Sequence, residues 1–191
     1  MELVVLVDDS GHPVGTAEKH AVHTDHTPLH LAFSCWVLGA DGRVLLTRRA
    51  LGKKTWPGVW TNAFCGHPGP GEETQAAVYR RAEAELGLAP GSLASLELVL
   101  PDFRYRAVDA SGTVENEICP VYLAVLAEDT GSAVGAQLRP NPDEVAEYAW
   151  ADPVGLIAAV DSAPFAFSPW LVEELACEPL RRRLTGTEAG T

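Results

Sequence analysis

The sequence is poor in features that point to secretion, to a membrane or to a cysteine-based metal site. Its four cysteines are widely spaced without a C-x-x-C pair, and its first residues, MELVVLVDDS, lack the basic start and long apolar core of a signal peptide. The longest mainly apolar run, residues 29–40, is shorter than the roughly 20 residues that cross a bilayer. We therefore expect a cytoplasmic protein with free thiols and no membrane anchor.

Basic residues are also scarce, since 14 Lys and Arg stand against 26 Asp and Glu and give a formal net charge of −12. Nucleic-acid affinity depends on clustered basic residues at the phosphates, so this charge disfavours a nucleic-acid partner. Ten of the 14 basic residues nevertheless lie between Lys19 and Arg106. This clustering predicts a local positive potential that could receive a small anion.

The residue patterns predict a domain that mixes strands and helices. Strands are expected where Val, Leu and aromatic residues concentrate between turn signals, at residues 2–7, 31–38, 43–49, 60–65, 95–107, 114–126 and 145–150. One helix is expected at residues 74–86, with Val78, Ala82 and Leu86 on one face and Gly87 as its stop. A second is expected from Ser168 to about residue 184.

This arrangement of elements predicts an α/β (α+β) fold with a layered mixed sheet. A chain of 191 residues fits one domain, residues 1–191, with a full hydrophobic core. Residues 127–143 are expected to form a surface loop, and residues 185–191 a frayed tail.

A glycine- and proline-rich loop, residues 61–73, precedes the first expected helix. The segment 66–88 has the spacings of a Nudix box at Gly66, Glu72, Arg80, Glu83, Glu85 and Gly87. In that motif carboxylates hold Mg²⁺, a hard cation that takes oxygen ligands and bridges phosphate oxygens. The chain departs from the box at Arg81 and Ala84, where the hydrolases have glutamates. The alternative interpretation is a solvated helix face on which Glu85 pairs with Arg81.

Five segments together resemble type I isopentenyl diphosphate isomerases: residues 23–38, 45–68, 101–107, 115–122 and 167–170. They contain the sequences CGH, ENE and FSPW, and the resemblance spans roughly residues 4 to 184. It implies interconversion of isopentenyl and dimethylallyl diphosphate, a homoallylic and an allylic diphosphate. It also implies a Nudix-like mixed-sheet sandwich flanked by helices, a divalent metal held by histidines and glutamates, and Mg²⁺ that arrives with the diphosphate.

The resemblance further implies a set of site residues. The metal ligands fall on His23, His30, His67, Glu115 and Glu117, and the Mg²⁺ carboxylate falls on Glu85. The catalytic thiol falls on Cys65, and an aromatic pair falls on Tyr105 and Trp170. The diphosphate-binding residues fall on Lys19, Arg49, Lys53 and Arg81. The chain departs from many relatives at Phe165, where they have a tryptophan, and this departure bears on the pocket wall.

The residue types suit this chemistry. Residues two apart on a strand share a face, so Glu115 and Glu117 are expected to project together. Three imidazoles and two carboxylates exceed the usual four-ligand zinc site and are compatible with six-coordinate Mn²⁺, Mg²⁺ or Zn²⁺. Moving a double bond requires two proton-transfer groups, which Cys65 and Glu117 could provide with Tyr105 as a relay. The Trp170 indole could stabilise a tertiary carbocation.

The residues leave two other functions open. The loop and helix would also serve a Nudix hydrolase of a nucleoside diphosphate derivative, although that chemistry does not require the thiol, the tyrosine and the histidines. The chain could instead be an inactive diphosphate-sensing or partner-binding module. The metal of the His/Glu site, the downstream isoprenoid pathway and the oligomeric state, monomer or weak dimer, are also left open.

Overall fold

Residues 2–127 and 138–186 are described by the computed structural model. The strands are β1 (Leu3–Val7), β2 (Pro13–Glu18), β3 (His30–Leu31), β4 (Phe33–Leu38), β5 (Val44–Arg49), β6 (Trp60–Thr61), β7 (Phe64–Gly66), β8 (Leu93–Leu100), β9 (Arg104–Val108), β10 (Val114–Ile118), β11 (Val121–Leu126) and β12 (Val145–Ala151). The helices are α1 (Lys19–Val22), α2 (Thr74–Leu86), α3 (Pro153–Ser162), α4 (Pro169–Leu175) and α5 (Glu178–Thr185), with a 3₁₀ helix at Pro164–Ala166.

The strands assemble into two mixed sheets. Sheet A has the order β2-β1-β3-β10-β9, and sheet B has the order β12-β5-β4-β11-β8, with β6 paired to β5 and β7 paired to β4. Strands β3 and β10 run parallel, as do β4 and β11. The register of sheet A sets Glu117 between His30 on one neighbouring strand and Tyr105 on the other. In sheet B, Ser34 lies opposite Cys65.

Sheet B has two buried faces. Phe33, Cys35 and Val37 pack into a core with α2, whereas Trp36 and Leu123 pack into a second core with α3, α4 and α5. Successive side chains of a strand point to opposite faces, so a strand covered on both sides is apolar almost throughout. The sequence FSCWVL of β4 has this character. The fold is therefore a mixed-sheet α/β sandwich flanked by helices, as predicted.

Helix α2 begins at Thr74 and ends at Leu86, which confirms the predicted bounds. Gly87 follows it with φ of 66°, a left-handed conformation that glycine adopts without a Cβ penalty. Earlier in the chain, Gly66 lets strand β7 approach α2 closely at Arg81. A Cβ at this position would lie 2.8 Å from Arg81 Cγ and 2.9 Å from Phe33 Cζ.

Several element boundaries differ from the sequence predictions, and prolines explain three of them. The strand predicted at 95–107 is two strands separated at Pro101, and the one predicted at 114–126 is two strands separated at Pro120. The helix predicted from Ser168 to residue 184 is α4 and α5, because Pro179 lacks the amide that would extend α4.

The strand predicted at 60–65 is likewise two short strands, β6 and β7, and β2, α1 and α3 were not predicted. Most of the loop predicted at 127–143, and residues 187–191 of the predicted tail, lie outside the described residues. Within the part of the chain that the structure describes, none of the helices has the length and apolar character to cross a bilayer.

Candidate active site

Four side chains from distant parts of the chain converge into what we call the His/Glu cluster. One ligand atom from each of His23, His30, His67 and Glu117 lies within 4.8 Å of the others. His30 Nε2 is 3.4 Å and His67 Nε2 is 3.1 Å from Glu117 Oε1, and the two nitrogens are 3.3 Å apart. The structure thus brings together four of the five metal ligands that the resemblance implies.

Both sheets position the cluster. His30 on β3 lies beside Glu117 on β10, while His23 follows α1 and His67 follows β7. Burial opposes ionisation of Glu117, but its hydrogen bonds to His30 and His67 outweigh this and hold the pKa of the carboxyl well below its usual value.

Glu115, the fifth implied ligand, faces the same way as Glu117 but contacts a different histidine. Its Oε2 lies 2.7 Å from His23 Nε2, and its Oε1 accepts a 2.7 Å hydrogen bond from Thr55 Oγ1. Glu115 and Glu117 are both buried, as two residues on one covered face of a strand should be. Sequence reasoning did not identify Thr55, which holds Glu115 in position.

The nitrogen and oxygen atoms of the cluster are better arranged to bind a cation than to hydrogen-bond with one another. His30 Nδ1 is 2.9 Å from the Pro28 carbonyl and must carry a proton to donate to it, so Nε2 donates to Glu117 only when the ring is protonated, and Nε2 offers a lone pair to a cation once that proton leaves. His23 Nε2 and Glu115 Oε2 are close, yet within the described residues neither has a partner with hydrogen-bonding geometry. Nitrogen and oxygen lone pairs that converge in this way fit a divalent metal.

A cavity of about 450 Å³ connects the His/Glu cluster to a group of basic side chains. Both carboxylates of β10 line it, together with Glu85, Cys65, Tyr105 and Trp170. All four basic residues implied by the resemblance also line it: Lys19, Arg49, Lys53 and Arg81. Lys54, which the sequence analysis did not single out, is a fifth basic lining residue beside Lys53.

Acidic side chains hold three of these cations in place, and one of them is Lys19, which donates to Glu2 Oε1 at 2.9 Å. Arg81 donates to Glu85 Oε1 at 2.6 and 3.0 Å and to Glu144 Oε1 at 3.0 Å, and Lys53 also pairs with Glu144. Burial raises the pKa of Glu85, although the charge of Arg81 opposes this rise. Glu85 therefore forms the ion pair with Arg81 along the helix that the alternative interpretation expected, and it also lines the cavity. Glu144 was missed, because no sequence spacing links it to Arg81, 63 residues away.

The thiol and the aromatic rings form a less polar part of the cavity. Trp170, at the start of α4, is only 3% exposed, and its ring centre is 5.8 Å from that of Tyr105 and 5.6 Å from that of Trp56. Burial raises the pKa of the Cys65 thiol, and it also raises the pKa of the Tyr105 hydroxyl. Both groups therefore carry a proton near neutral pH.

Asn62 connects Cys65 to Trp170, and sequence reasoning missed it. Its Oδ1 accepts a 3.1 Å hydrogen bond from Trp170 Nε1 and lies 3.5 Å from Cys65 Sγ. Its Nδ2 donates to Ser34 Oγ at 2.9 Å. The available signal was an amide side chain inside the strand-like segment WTNAFC, where a buried polar group needs partners.

The expectation that Phe165 bears on the pocket wall is not supported by its position. Its side chain is 89% exposed on the 3₁₀ helix Pro164–Ala166, and it is not among the residues that line the cavity. The neighbouring Phe167 packs instead, against the core beneath α4.

The chain is similar in sequence and fold to characterised families. The NUDIX domain model matches residues 28–171. Over 174 residues the chain is 62% identical to the isopentenyl-diphosphate Delta-isomerase of Clavibacter michiganensis subsp. michiganensis, covering 91% of this chain and 84% of that one. Over 183 residues it is 57% identical to the isopentenyl-diphosphate Delta-isomerase of Kocuria rhizophila, covering 96% of each.

A solved structure supports the fold alone. The protein DR0079 from Deinococcus radiodurans superimposes with a TM-score of 0.67 at 20% identity, covering 92% of this chain and 98% of that one. The sequence matches over most of the chain place the protein in the Nudix superfamily, and within it the chain belongs to the isopentenyl-diphosphate Delta-isomerase family.

Proposed function

We propose that this chain interconverts isopentenyl diphosphate and dimethylallyl diphosphate. The observation that carries the proposal is the lining of one cavity of about 450 Å³ by basic side chains and also by a thiol, two buried carboxylates, a phenol and an indole. The relatives described above are named for this reaction. Hydrolysis of a nucleoside diphosphate derivative is not favoured, because it would leave the thiol and the aromatic pair without a role.

The basic residues recognise the diphosphate. Lys19, Arg49, Lys53 and Arg81 supply the positive charge, and charge-assisted hydrogen bonds from guanidinium to phosphate are stronger than neutral ones. These cations line one cavity although the chain has a net charge of −12, and five glutamates line it beside them. The diphosphate end of the substrate would therefore lie toward these residues, and its carbon chain toward Cys65 and Trp170.

The reaction adds a proton to the terminal alkene carbon and removes one from the carbon two positions away, so no proton is consumed overall. We assign these two transfers to Cys65 and Glu117, with the Tyr105 hydroxyl as a relay at the carboxylate. The intermediate is a tertiary carbocation that water would capture. The Trp170 ring and the Glu117 carboxylate stabilise its charge in a site that the buried aromatic residues keep apolar.

The donor set fits a divalent metal in the His/Glu site, and we propose His23, His30, His67, Glu115 and Glu117 as its ligands, with Mn²⁺, Zn²⁺ or Mg²⁺ as the ion. We assign Glu85 to a second ion, Mg²⁺, that enters with the diphosphate. When bound, such ions neutralise phosphate charge and fix the carboxylates. The four free thiols favour the cytoplasm as the place of the reaction.

Incubation with isopentenyl diphosphate and divalent metal in heavy water tests the proposal. The expected product is dimethylallyl diphosphate that carries deuterium, and Cys65→Ala should form it far more slowly. Release of inorganic phosphate or of a nucleotide from nucleoside diphosphate derivatives, without deuterium incorporation, would favour the hydrolase. Binding without turnover of either substrate class would favour the inactive module.

A further inference from the structure

Thr55 lies between the His/Glu cluster and the basic residues that we assign to the diphosphate. It belongs to the loop between β5 and β6, lines the cavity and is 4% exposed. Its Oγ1 donates a 2.7 Å hydrogen bond to Glu115 Oε1 and accepts a 3.1 Å hydrogen bond from Arg49 Nη2. One hydroxyl therefore contacts both a proposed metal ligand and a proposed diphosphate ligand, and the proposed reaction gives it no task.

The chemistry of the three groups fixes the direction of both hydrogen bonds. A guanidinium only donates and a carboxylate only accepts, whereas a hydroxyl has one proton to donate and two lone pairs that accept. The Thr55 proton is therefore directed to Glu115, and a lone pair of the same oxygen receives Arg49 Nη2. Hydrogen bonds that follow one another in a chain polarise and strengthen one another. A change at Glu115 is therefore felt at Arg49.

The Thr55 backbone also orients Arg49. Its carbonyl accepts from Arg49 Nε at 3.1 Å and from Nη2 at 2.9 Å. All the hydrogen bonds that Arg49 makes within the described residues thus go to Thr55 through Nε and Nη2, which leaves Nη1 for a phosphate oxygen. Arg49 can therefore bind a diphosphate without releasing Thr55.

The residues on either side of the threonine hold this loop in place. Lys54 Nζ donates to the carbonyl of His23, whose Nε2 lies 2.7 Å from Glu115 Oε2. Trp56 has a φ of 42°, in the left-handed region that a bulky side chain rarely adopts. Such a conformation persists only where the surrounding structure determines it. Residues 54–56 are therefore fixed against the His/Glu cluster rather than free to follow the solvent.

We propose that Thr55 is a positioning residue that couples the His/Glu cluster to diphosphate binding. A cation that orders Glu115 also orders the Arg49 guanidinium, through Thr55 Oγ1. Binding of the cation and binding of the diphosphate then favour each other, and the effect is reciprocal because one coupling free energy links the two ligands. This inference rests on the metal site and the diphosphate site of the proposed function, and it adds to the direct attraction between their opposite charges.

Titration with inorganic pyrophosphate tests the coupling without turnover. Calorimetry gives the affinity of pyrophosphate for the metal-free chain and for the chain loaded with one equivalent of Zn²⁺, with no free ion present to bind the probe. Zinc analysis of the protein after each titration confirms the loading. The ratio of the two affinities measures the coupling. In the wild type this ratio should be well above one, because the ion attracts the probe directly and also acts through Thr55.

A substitution that removes only the hydroxyl isolates its contribution. Thr55→Val keeps the branched side chain and the carbonyl that holds Arg49, and the ratio should fall about fivefold, a typical size for coupling between sites. Thr55→Ser keeps the hydroxyl and should restore the ratio. Thr47→Val is the matched control, because Thr47 also lines the cavity but donates to the carbonyls of Asn62 and Ala63. Its ratio should equal that of the wild type.

An Arg49→Gln background identifies the second partner of the hydroxyl. If the coupling passes through Arg49, Thr55→Val should lower the ratio no further in this background. A merely structural role of the hydroxyl has a different signature. Its loss would weaken pyrophosphate binding equally with and without Zn²⁺, so the ratio would not change.

The outcomes are distinct. An unchanged ratio in Thr55→Val would overturn the inference, as would an equal fall in Thr47→Val. A wild-type ratio of one, or no binding of pyrophosphate, would also overturn it. If Thr55→Val fails to fold, Thr55→Ala removes the same hydroxyl and decides. If the wild type couples the two ligands but does not isomerise isopentenyl diphosphate, the proposed reaction fails while the coupling stands.

Discussion

The guanidinium carbon of Arg49 lies 5.2 Å from the centre of the Trp170 ring. Arg49 is held there by hydrogen bonds from Nε and Nη2 to the Thr55 carbonyl, at 3.1 and 2.9 Å. The indole ring that we propose to stabilise the carbocation therefore already has the Arg49 guanidinium over its face. A diphosphate bound by Arg49 would be held beside this indole, with its carbon chain within reach of the ring.

Arg49→Gln should weaken substrate binding more than it slows the reaction. The diphosphate charge is the same in the ground state and the transition state, so we expect KM to rise about 10- to 100-fold, the loss of one charged hydrogen bond, with a small change in kcat. Steady-state kinetics measure both constants. Arg48→Gln is the matched control, because Arg48 pairs with Glu147 and does not line the cavity. An equal effect of both variants would contradict the assignment of Arg49.

Loss of either proton-transfer group should slow turnover by at least about 10²-fold while the fold survives. We expect this for Cys65→Ala and Glu117→Gln, and the latter should also weaken metal binding. Turnover is measured by product formation, and circular dichroism checks the fold. Cys177→Ala serves as the control, since this cysteine is the residue before α5 and does not line the cavity. Near-normal activity in Cys65→Ala would make the thiol a structural residue.

Replacement of Trp170 distinguishes a carbocation enzyme from a diphosphate binder. Trp170→Ala should lower kcat more than it weakens ground-state binding, because the positive charge exists only during the reaction. Trp170→Phe should be milder. An ammonium diphosphate with a fixed cation should bind the wild type far more tightly than the substrate does, and it should lose much of this advantage in Trp170→Ala. An unchanged ratio of the two affinities would leave the ring a packing role only.

Metal removal should have two separable effects. Chelation should abolish activity and lower the melting temperature, since a metal that binds only the folded chain stabilises it. Mg²⁺ should bind more tightly once the diphosphate is present, and Glu85→Gln should reduce this second affinity most. Calorimetric titration with and without the diphosphate measures the difference. Glu83→Gln, an exposed neighbour on α2, should behave as the wild type. Equal Mg²⁺ affinities in both titrations would contradict the role of Glu85.

Glu174 should make stability depend on pH in a defined direction. Burial raises its pKa from 4.5 to about 8, so its contribution to stability is fully present below about pH 4.5 and is lost as pH rises toward 8. Each pKa unit corresponds to roughly 1.4 kcal/mol, so the total effect is on the order of a few kcal/mol. Glu174→Gln removes this titration. Its melting temperature relative to the wild type should therefore be higher at pH 8 than at pH 5, and a constant difference would contradict the shift.

Features that depend on residues close together in the sequence were predicted, whereas features that depend on contacts between distant residues were not. The bounds of α2 and the shared face of Glu115 and Glu117 are encoded in neighbouring residues, so periodicity and strand geometry predicted them. The residues of the His/Glu cluster lie in short segments that resemble a known family. That residues 1–191 form a single domain stays a prediction.

Residues whose roles depend on long-range contacts were not accessible in this way. The bond between Trp36 and Glu174 joins positions 138 residues apart, and that between Glu144 and Arg81 joins positions 63 residues apart. Neither pair has a characteristic spacing, and only the packing of α4 and of the segment before β12 brings the partners together. The strand breaks at Pro101 and Pro120 could have been predicted from the sequence, because proline has no amide hydrogen to donate to a neighbouring strand.

Three consecutive residues, Cys65, Gly66 and His67, contact three different parts of the molecule. The Cys65 thiol lies beside Asn62, Gly66 lies against helix α2, and His67 belongs to the His/Glu cluster. A side chain at position 66 would collide with Arg81 and Phe33, so glycine is what lets β7 lie this close to α2. Because Cys65 and His67 flank this glycine, a substitution that pushed position 66 away from α2 would move the thiol and the imidazole together. A change at position 66 would therefore disturb both parts of the site at once, although neither functional side chain had been altered.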